Sequence, residues 1–277
     1  MKRIDSHQHF WYYEPVKDSW MTDDMNLIKK DFMPADLLPV LEGLGFEGCI
    51  TVQVAQTDAE TEFLLKLAEK FSFIKGVVGW VDLKAGDIEA KLQNLSSNRK
   101  LKGFRHVLQT EPDDKYVLAD DFRGGISTLS KYGFTYDILI YPRHIKYATE
   151  LVSKYPEQMF VIDHLAKPFI KAQEIKEWEE DIRRIAQIPN IYCKVSGMVT
   201  EADLHHWKTE DLLPYLDVIF DAFGPQRLMY GSDWPVCLIA SSYDRWVGLL
   251  ESYADTNLTA EQRLDFWREN AIRFYNL

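Results

Sequence analysis

The sequence predicts an α/β fold, a single (β/α)8 TIM barrel with an extra C-terminal helix. Three observations predict it. Short β-rich runs recur at about thirty-residue intervals, the spacing of a repeated βα unit. Most of these runs are followed by a stretch with helical periodicity, and alternating strands and helices imply a parallel sheet with right-handed crossovers. No Gly-rich phosphate loop follows the first run, which argues against an open doubly wound sheet. The 277 residues fit one such barrel, with no Ser/Pro-rich linker or low-complexity tract, so residues 1–277 read as one domain.

Eight strands are expected, at Arg3–His9, Gly48–Val54, Ile74–Asp82, Leu101–Leu108, Thr135–Tyr141, Phe160–His164, Ile191–Ser196 and Arg227–Asp233. Between the first two, Pro34-Ala35-Asp36 opens a helix carrying Leu37, Leu38, Leu41 and Leu44, and Gly45 ends it. Thr57-Asp58-Ala59-Glu60 has capping-box spacing before an amphipathic run with Phe63, Leu64 and Leu67 on one side. Lys171 to Ile188 alternates Ile175, Trp178, Ile182 and Ile185 with charges, as a helix outside a barrel does. Two helices are expected after the eighth strand, near Ser242–Ala254 and from Leu258 to Tyr275. Phe10–Phe32 lacks a period and is long for a βα loop; such loops shape substrate pockets.

Composition excludes several classes of function. Apolar residues make up 46% and charged residues 27%, a globular balance. The net charge of −11 and the absence of a dense basic run argue against nucleic acid as the main partner. No apolar stretch reaches membrane-spanning length, and no signal-peptide core precedes Asp5, so neither membrane insertion nor secretion is expected. Cys49, Cys193 and Cys237 are odd in number and widely spaced, which fits a reducing cytoplasm rather than a disulfide framework, and Cys49 and Cys193 lie in apolar runs where buried thiols are expected. Oligomeric state is left open.

In a barrel the chemistry sits at the carboxyl ends of the strands. The first strand ends in His7-Gln8-His9, and residues two apart on a strand share a side, so both imidazoles project together, with Asp5 expected one pleat deeper on the same side. The sixth ends in Asp163-His164, the eighth in Gly231-Ser232-Asp233-Trp234-Pro235. A lone HxH pair is commonly incidental, a lone His164 a hydrogen-bonded core histidine, and a lone Asp233 a cap. Together at one rim they form an N,N,N,O set suited to a zinc-type ion with a position left for water.

His7-Gln8-His9-Phe10, Val161-Ile162-Asp163-His164-Leu165-Ala166-Lys167-Pro168, Gly231-Ser232-Asp233-Trp234-Pro235 and Asn270-Ala271-Ile272-Arg273-Phe274-Tyr275 resemble the amidohydrolase superfamily. The branch most resembled is that of sugar lactonases and pyrone-dicarboxylate lactonases, which Gly79-Trp80-Val81-Asp82-Leu83 and Lys102-Gly103-Phe104-Arg105-His106 also fit. The resemblance implies hydrolysis of a small lactone to a hydroxy acid, with Asp233 as general base and His7, His9 and His164 polarising the carbonyl or holding metal. Ester hydrolysis needs both a deprotonated water and a stabilised oxyanion. Many members of the superfamily use a lysine or glutamate at the fourth strand's end to help bridge two metals; here Arg105-His106 stands there, and a guanidinium does not bridge cations. One divalent ion, zinc first, or none is therefore expected.

Arg105 is a candidate to hold substrate oxygens, against an ion pair with a neighbouring carboxylate. Lys167 and Gln53 are further candidates for binding substrate, with Gln56 also near the end of the second strand. Trp80 and Trp234, with Trp11, Tyr12 and Trp20 in the long loop, could stack on sugar C–H faces, although aromatics in a chain with eight tryptophans commonly pack. Lys194 inside an apolar strand must be paired or functional. His106 is expected to be structural, and His205 and His206 to lie in a solvated segment. The leading expectation is a sugar-acid lactone of the fuconolactone or rhamnonolactone kind. Alternatives are a pyrone-dicarboxylate-type lactone or a decarboxylation. The former would need several pocket arginines, and Arg123 and Arg143 are weak candidates beside Arg105. A sugar-acid-binding protein with a decayed site would lack the base or a histidine, and neither is missing.

Overall fold

Apolar faces alternating with caps and turns generate the repeat, and the computed structural model, which describes residues 2–277, shows how it closes. In chain order the first half comprises β1 (Arg3–Gln8), α1 (Pro34–Gly43), β2 (Phe46–Val52), α2 (Asp58–Lys70), β3 (Ile74–Gly79), α3 (Ile88–Leu95), β4 (Leu101–Val107) and α4 (Asp120–Leu129). The second half comprises β5 (Thr135–Leu139), α5 (Ile145–Lys154), β6 (Phe160–Ile162), α6 (Lys176–Ile185), β7 (Ile191–Val195), α7 (Met198–Glu201), α8 (Thr209–Phe223) and β8 (Leu228–Tyr230). α9 (Tyr243–Asn257), α10 (Ala260–Leu264) and α11 (Asn270–Tyr275) follow. All neighbouring strands are parallel and lie in sequence order. The chain beyond β8 returns to β1, where His9 N–H donates to the Trp234 carbonyl at 2.7 Å and Asp233 N–H to the His7 carbonyl at 2.8 Å. The architecture is the (β/α)8 barrel that the rhythm predicts.

Two apolar clusters hold it. The larger packs the helices onto the outside of the strands. The smaller fills the barrel with Ile4, Ile50, Val52, Val78, Val161 and Met229, and is covered by Ala271, Phe274 and Tyr275 of α11. The last helix therefore plugs the end of the barrel where the strands begin, leaving the opposite mouth to the site. Among the described residues no helix is long and apolar enough to cross a membrane.

Local departures have identifiable causes. Thr57 caps α2 by accepting from Glu60 N–H at 3.2 Å, but the Glu60 carboxylate takes Val54 N–H at 3.1 Å, so only half of the expected box forms. The helix expected from Lys171 begins at Lys176, after Gln173 in the left-handed region. The helix expected from Leu258 to Tyr275 is divided by a π-helical turn at Asp265–Glu269. That turn leads into Asn270, whose amide donates to the carbonyls of Pro225 at 2.7 Å and Leu228 at 2.6 Å. Asp5 does not share the side of His7. Three steps in β1, from Asp5 to Gln8, face two in β2, from Cys49 to Thr51, and this bulge breaks the alternation. The Asp5 carboxylate instead accepts from Ser232 N–H at 2.9 Å, the Ser232 hydroxyl at 2.6 Å and the Tyr243 hydroxyl at 3.0 Å.

Candidate active site

At the open mouth, three imidazoles converge on one carboxylate oxygen. Asp233 Oδ1 lies 3.3 Å from His9 Nε2, 3.8 Å from His164 Nε2 and 3.9 Å from His7 Nε2. One ligand atom each from His7, His164 and Asp233 falls within 4.8 Å of the others, and His9 Nε2 is 3.2 Å from His7 Nε2. β6 and β8 end before their functional residues, at Ile162 and Tyr230. His164, at φ 54°, and Asp233, at φ 58°, both stand in the left-handed region. That conformation costs about 1–2 kcal/mol for a non-glycine residue and is characteristic of sites where geometry is imposed.

The far nitrogens orient the rings. His9 Nδ1 donates to the Val52 carbonyl at 2.7 Å, and His164 Nδ1 shares a hydrogen bond with Ser196 Oγ at 2.8 Å. Each thereby turns Nε2 inward, the arrangement that ligand histidines require. Gly197 makes room for this: at φ 64°, a side-chain carbon there would lie 2.6 Å from His164 Nδ1.

Electrostatics separate the roles. Burial holds the His164 imidazole down to about 4, despite Asp233 and Asp163 beside it. Burial also holds His7 well below the usual imidazole range, against the pull of Asp163 and with the help of Lys194. Burial pushes the Asp233 carboxyl up, but the neighbouring His164, His9 and His7 rings outweigh it and hold the carboxyl well below its usual range. At neutral pH the site thus presents an ionised carboxylate facing uncharged His7 and His164 rings, chemistry suited to taking a proton from water.

A cavity of about 380 Å³ opens over this cluster, lined by His9, His164, Asp233, Arg105, Lys167 and residues of the long β1 loop including Trp11, Lys17 and Trp20. The loop is pinned at its base by paired backbone hydrogen bonds between Trp11 and Phe32, both 3.0 Å. Arg105 reaches the wall, but its Nη1 donates to Asp163 Oδ2 at 3.1 Å and its Nη2 to the Gln53 carbonyl, so the ion-pair alternative is realised. Lys167 Nζ lies 3.4 Å from Glu201 Oε1 at the cavity edge.

Four residues singled out for substrate, Tyr12, Gln53, Trp80 and Trp234, do not line this cavity; Tyr12 is exposed and rests against Phe63. The Gln53 amide is spent on the Arg105 carbonyl at 3.0 Å, while Gln56 from the same loop does reach the cavity. Trp80 donates to His106 at 3.3 Å, and His106 meets Glu111 at 2.7 Å. Trp234 packs edge-on against Phe10 and Phe32. These rings sit where the strand faces outward, which spacing from a strand end does not reveal. Arg143 is taken up by Asp114, Arg123 by Asp120, and His205 and His206 are exposed beside Asp203.

The site also contains two carboxylates to which the motifs assign no role. Asp163 is fully buried between Arg105, Lys194 and His7; burial pushes its carboxyl up, and Lys194, His7 and Arg105 together hold it well below the usual range. Asp137, inside β5, meets Lys194 and was invisible as one more polar residue in a strand. The signal that could have found it is Lys194 itself, since a lysine within an apolar strand demands a carboxylate.

Against known proteins, a family model described as amidohydrolase matches residues 4–277. The chain is 38% identical to an L-fucono-1,5-lactonase of Burkholderia multivorans, over 99% of this chain and 96% of that one. It is 36% identical to an L-fucono-1,5-lactonase of Burkholderia ambifaria with the same coverage. A crystal structure of an amidohydrolase from Burkholderia multivorans with bound zinc superposes with a TM-score of 0.95 at 38% identity, covering 100% of both chains.

Proposed function

The chain belongs to the amidohydrolase family, and on that premise we propose that it is a lactonase, a hydrolase that opens a sugar-acid lactone of the L-fucono-1,5-lactone kind. The observation that carries this reading is the convergence of three imidazole Nε2 atoms on Asp233 Oδ1, with His9, His164 and Asp233 lining the cavity and His7 fully buried beside them. The substrates named for the two Burkholderia relatives support it.

In this reading, Asp233 takes a proton from a water whose oxygen attacks the lactone carbonyl. Collapse of the tetrahedral adduct breaks the ring C–O bond, and the departing ring oxygen recovers the proton from Asp233. The products are a hydroxyl and a carboxylic acid, which ionises and releases one proton per turnover. One well-placed oxyanion donor lowers such a barrier by about 3 kcal/mol.

The residues fit one divalent ion, zinc first. His7, His164 and Asp233 offer ligand atoms within 4.8 Å of one another, His9 adds a fourth, and the outer nitrogens of His9 and His164 are tied to Val52 and Ser196. What such an ion supplies when bound is Lewis acidity toward the ester carbonyl and a lowered pKa for water. The zinc-bound Burkholderia structure supports the same assignment. In its absence, only a ring that carries its proton on Nε2 could donate to the carbonyl, which excludes a neutral His9, whose proton is on Nδ1 toward Val52.

Lys167, Lys17, Gln56 and the rings of Trp11 and Trp20 would hold the hydroxylated body of the substrate. Among the described residues Arg105 is the only arginine lining the cavity, which favours a polyhydroxylated lactone over a dicarboxylate. The deciding experiment is a pH-indicator screen of aldonolactones with and without chelator; no turnover of any aldonolactone sinks the reading. We place the enzyme in the cytoplasm on the strength of its three free, buried cysteines.

A further inference from the structure

Lys194 is fully buried, and no step above uses it. Its ammonium contacts Asp137, lies 3.0 Å from Asp163 Oδ1 and 3.1 Å from His7 Nδ1. With Arg105 on Asp163, two cations and two carboxylates balance, so His7 has no need of a charge. A neutral imidazole carries one N–H and one lone pair, whereas lysine and arginine only donate.

The partners of His7 therefore divide into two sets with opposite demands. Lys194 asks for a lone pair on Nδ1. The ring proton then sits on Nε2 and donates to His9 Nε2 at 3.2 Å, whose own proton is committed to Val52. Asp163 Oδ1, 3.3 Å from Nδ1, asks instead for a proton there, and Arg105 Nη1, 3.3 Å from Nε2, asks for a lone pair on that nitrogen. In this structure the first set has the closer contacts. Asp163 Oδ1, 3.3 Å from the ring, faces the Lys194 ammonium at the shorter distance of 3.0 Å, while Arg105 Nη1 has Asp163 Oδ2 at 3.1 Å. Ligating an ion through Nε2 requires the second set.

We infer that His7 is a tautomeric switch, held by Lys194 with its proton on Nε2 when no ion is bound and by Asp163 with its proton on Nδ1 when one is. Lys194 is the positioning residue, and it opposes ion binding. No proton enters or leaves; one moves between ring nitrogens. The inference rests on the reading that the site takes a divalent ion.

Imidazole ¹⁵N NMR of the whole protein, metal-free and zinc-loaded, reads the tautomer, and competition with a chromophoric chelator reads zinc affinity. The wild type should show His7 protonated on Nε2 without zinc and on Nδ1 with it. The double variant Lys194→Met, Asp137→Asn removes one cation and one anion, leaving local charge unchanged. It should hold the Nδ1 proton without metal and bind zinc roughly tenfold more tightly, the scale of effects from groups behind a ligand. A metal-free wild type already protonated on Nδ1 overturns the inference, as does unchanged zinc affinity in the folded double variant. If the variant does not fold, the wild-type spectra alone decide. Absence of saturable zinc binding to the wild type would bring down the ion reading and this inference together, whereas zinc binding with no change of tautomer brings down this inference alone.

Discussion

The Tyr275 hydroxyl donates to Asp137 Oδ2 at 2.9 Å, and the same carboxylate oxygen holds Lys194. The terminal helix thus reaches through the floor of the barrel to the charged residues beneath His7. Replacing Tyr275 with Phe keeps the ring in the plug and deletes only this bond. A hydrogen bond to a charged group contributes about 1.5–3 kcal/mol, so urea unfolding of Tyr275→Phe should show a loss of that size. An unchanged midpoint would mean the contact carries no stability.

Asp233→Asn retains the shape of the base and removes its capacity to take a proton. Steady-state kinetics on an aldonolactone should show kcat lower by roughly 10²–10⁴-fold, the usual contribution of a general base. Residual activity within about tenfold of wild type would reassign the base.

Removal of metal should lower both activity and the thermal midpoint, and added zinc should restore both. A ligand at one hundred times its Kd stabilises the native state by about 2.7 kcal/mol. Calorimetry with and without chelator checks this, and identical midpoints would argue that no ion binds the folded state.

Gly197→Ala tests how His164 is held. The new carbon would lie 2.6 Å from Nδ1, at a backbone φ of 64°. Displacement of the ring should lower kcat/KM by at least about 10²-fold, as expected for a misplacement of roughly 1 Å. Activity near wild type would show that the ring has freedom to move.

Lys167→Ala removes a cation from the cavity edge without touching the cluster on Asp233. A hydrogen bond between a cation and a substrate hydroxyl is worth about 1.5–3 kcal/mol. KM for the aldonolactone should therefore rise about tenfold or more while kcat changes little. Equal losses in kcat and kcat/KM would instead place Lys167 in the chemical step.

Much of this site is legible in the sequence. His7 and His9 end a strand with the right spacing, and His164 and Asp233 follow apolar runs that read clearly as strands. Asp5 was misplaced because a bulge between Asp5 and Gln8 is a relation between two strands and leaves no mark in one. Trp80, Trp234 and Gln53 lie off the cavity for a related reason: the tryptophan rings pack on His106 and on Phe10 and Phe32, and the Gln53 amide is consumed by the Arg105 backbone.

Periodicity, caps and strand-end histidines are local patterns, and they alone determined a barrel with Asp233 and three imidazoles at one mouth. The partners of Lys194 were a different matter, because Asp137 lies 57 residues away and His7 lies 187. Only closure of β8 onto β1 and the seating of α11 in the floor bring those groups together. A buried charge is satisfied by whatever the tertiary structure places within hydrogen-bonding reach, and no stretch of neighbouring residues encodes that distance.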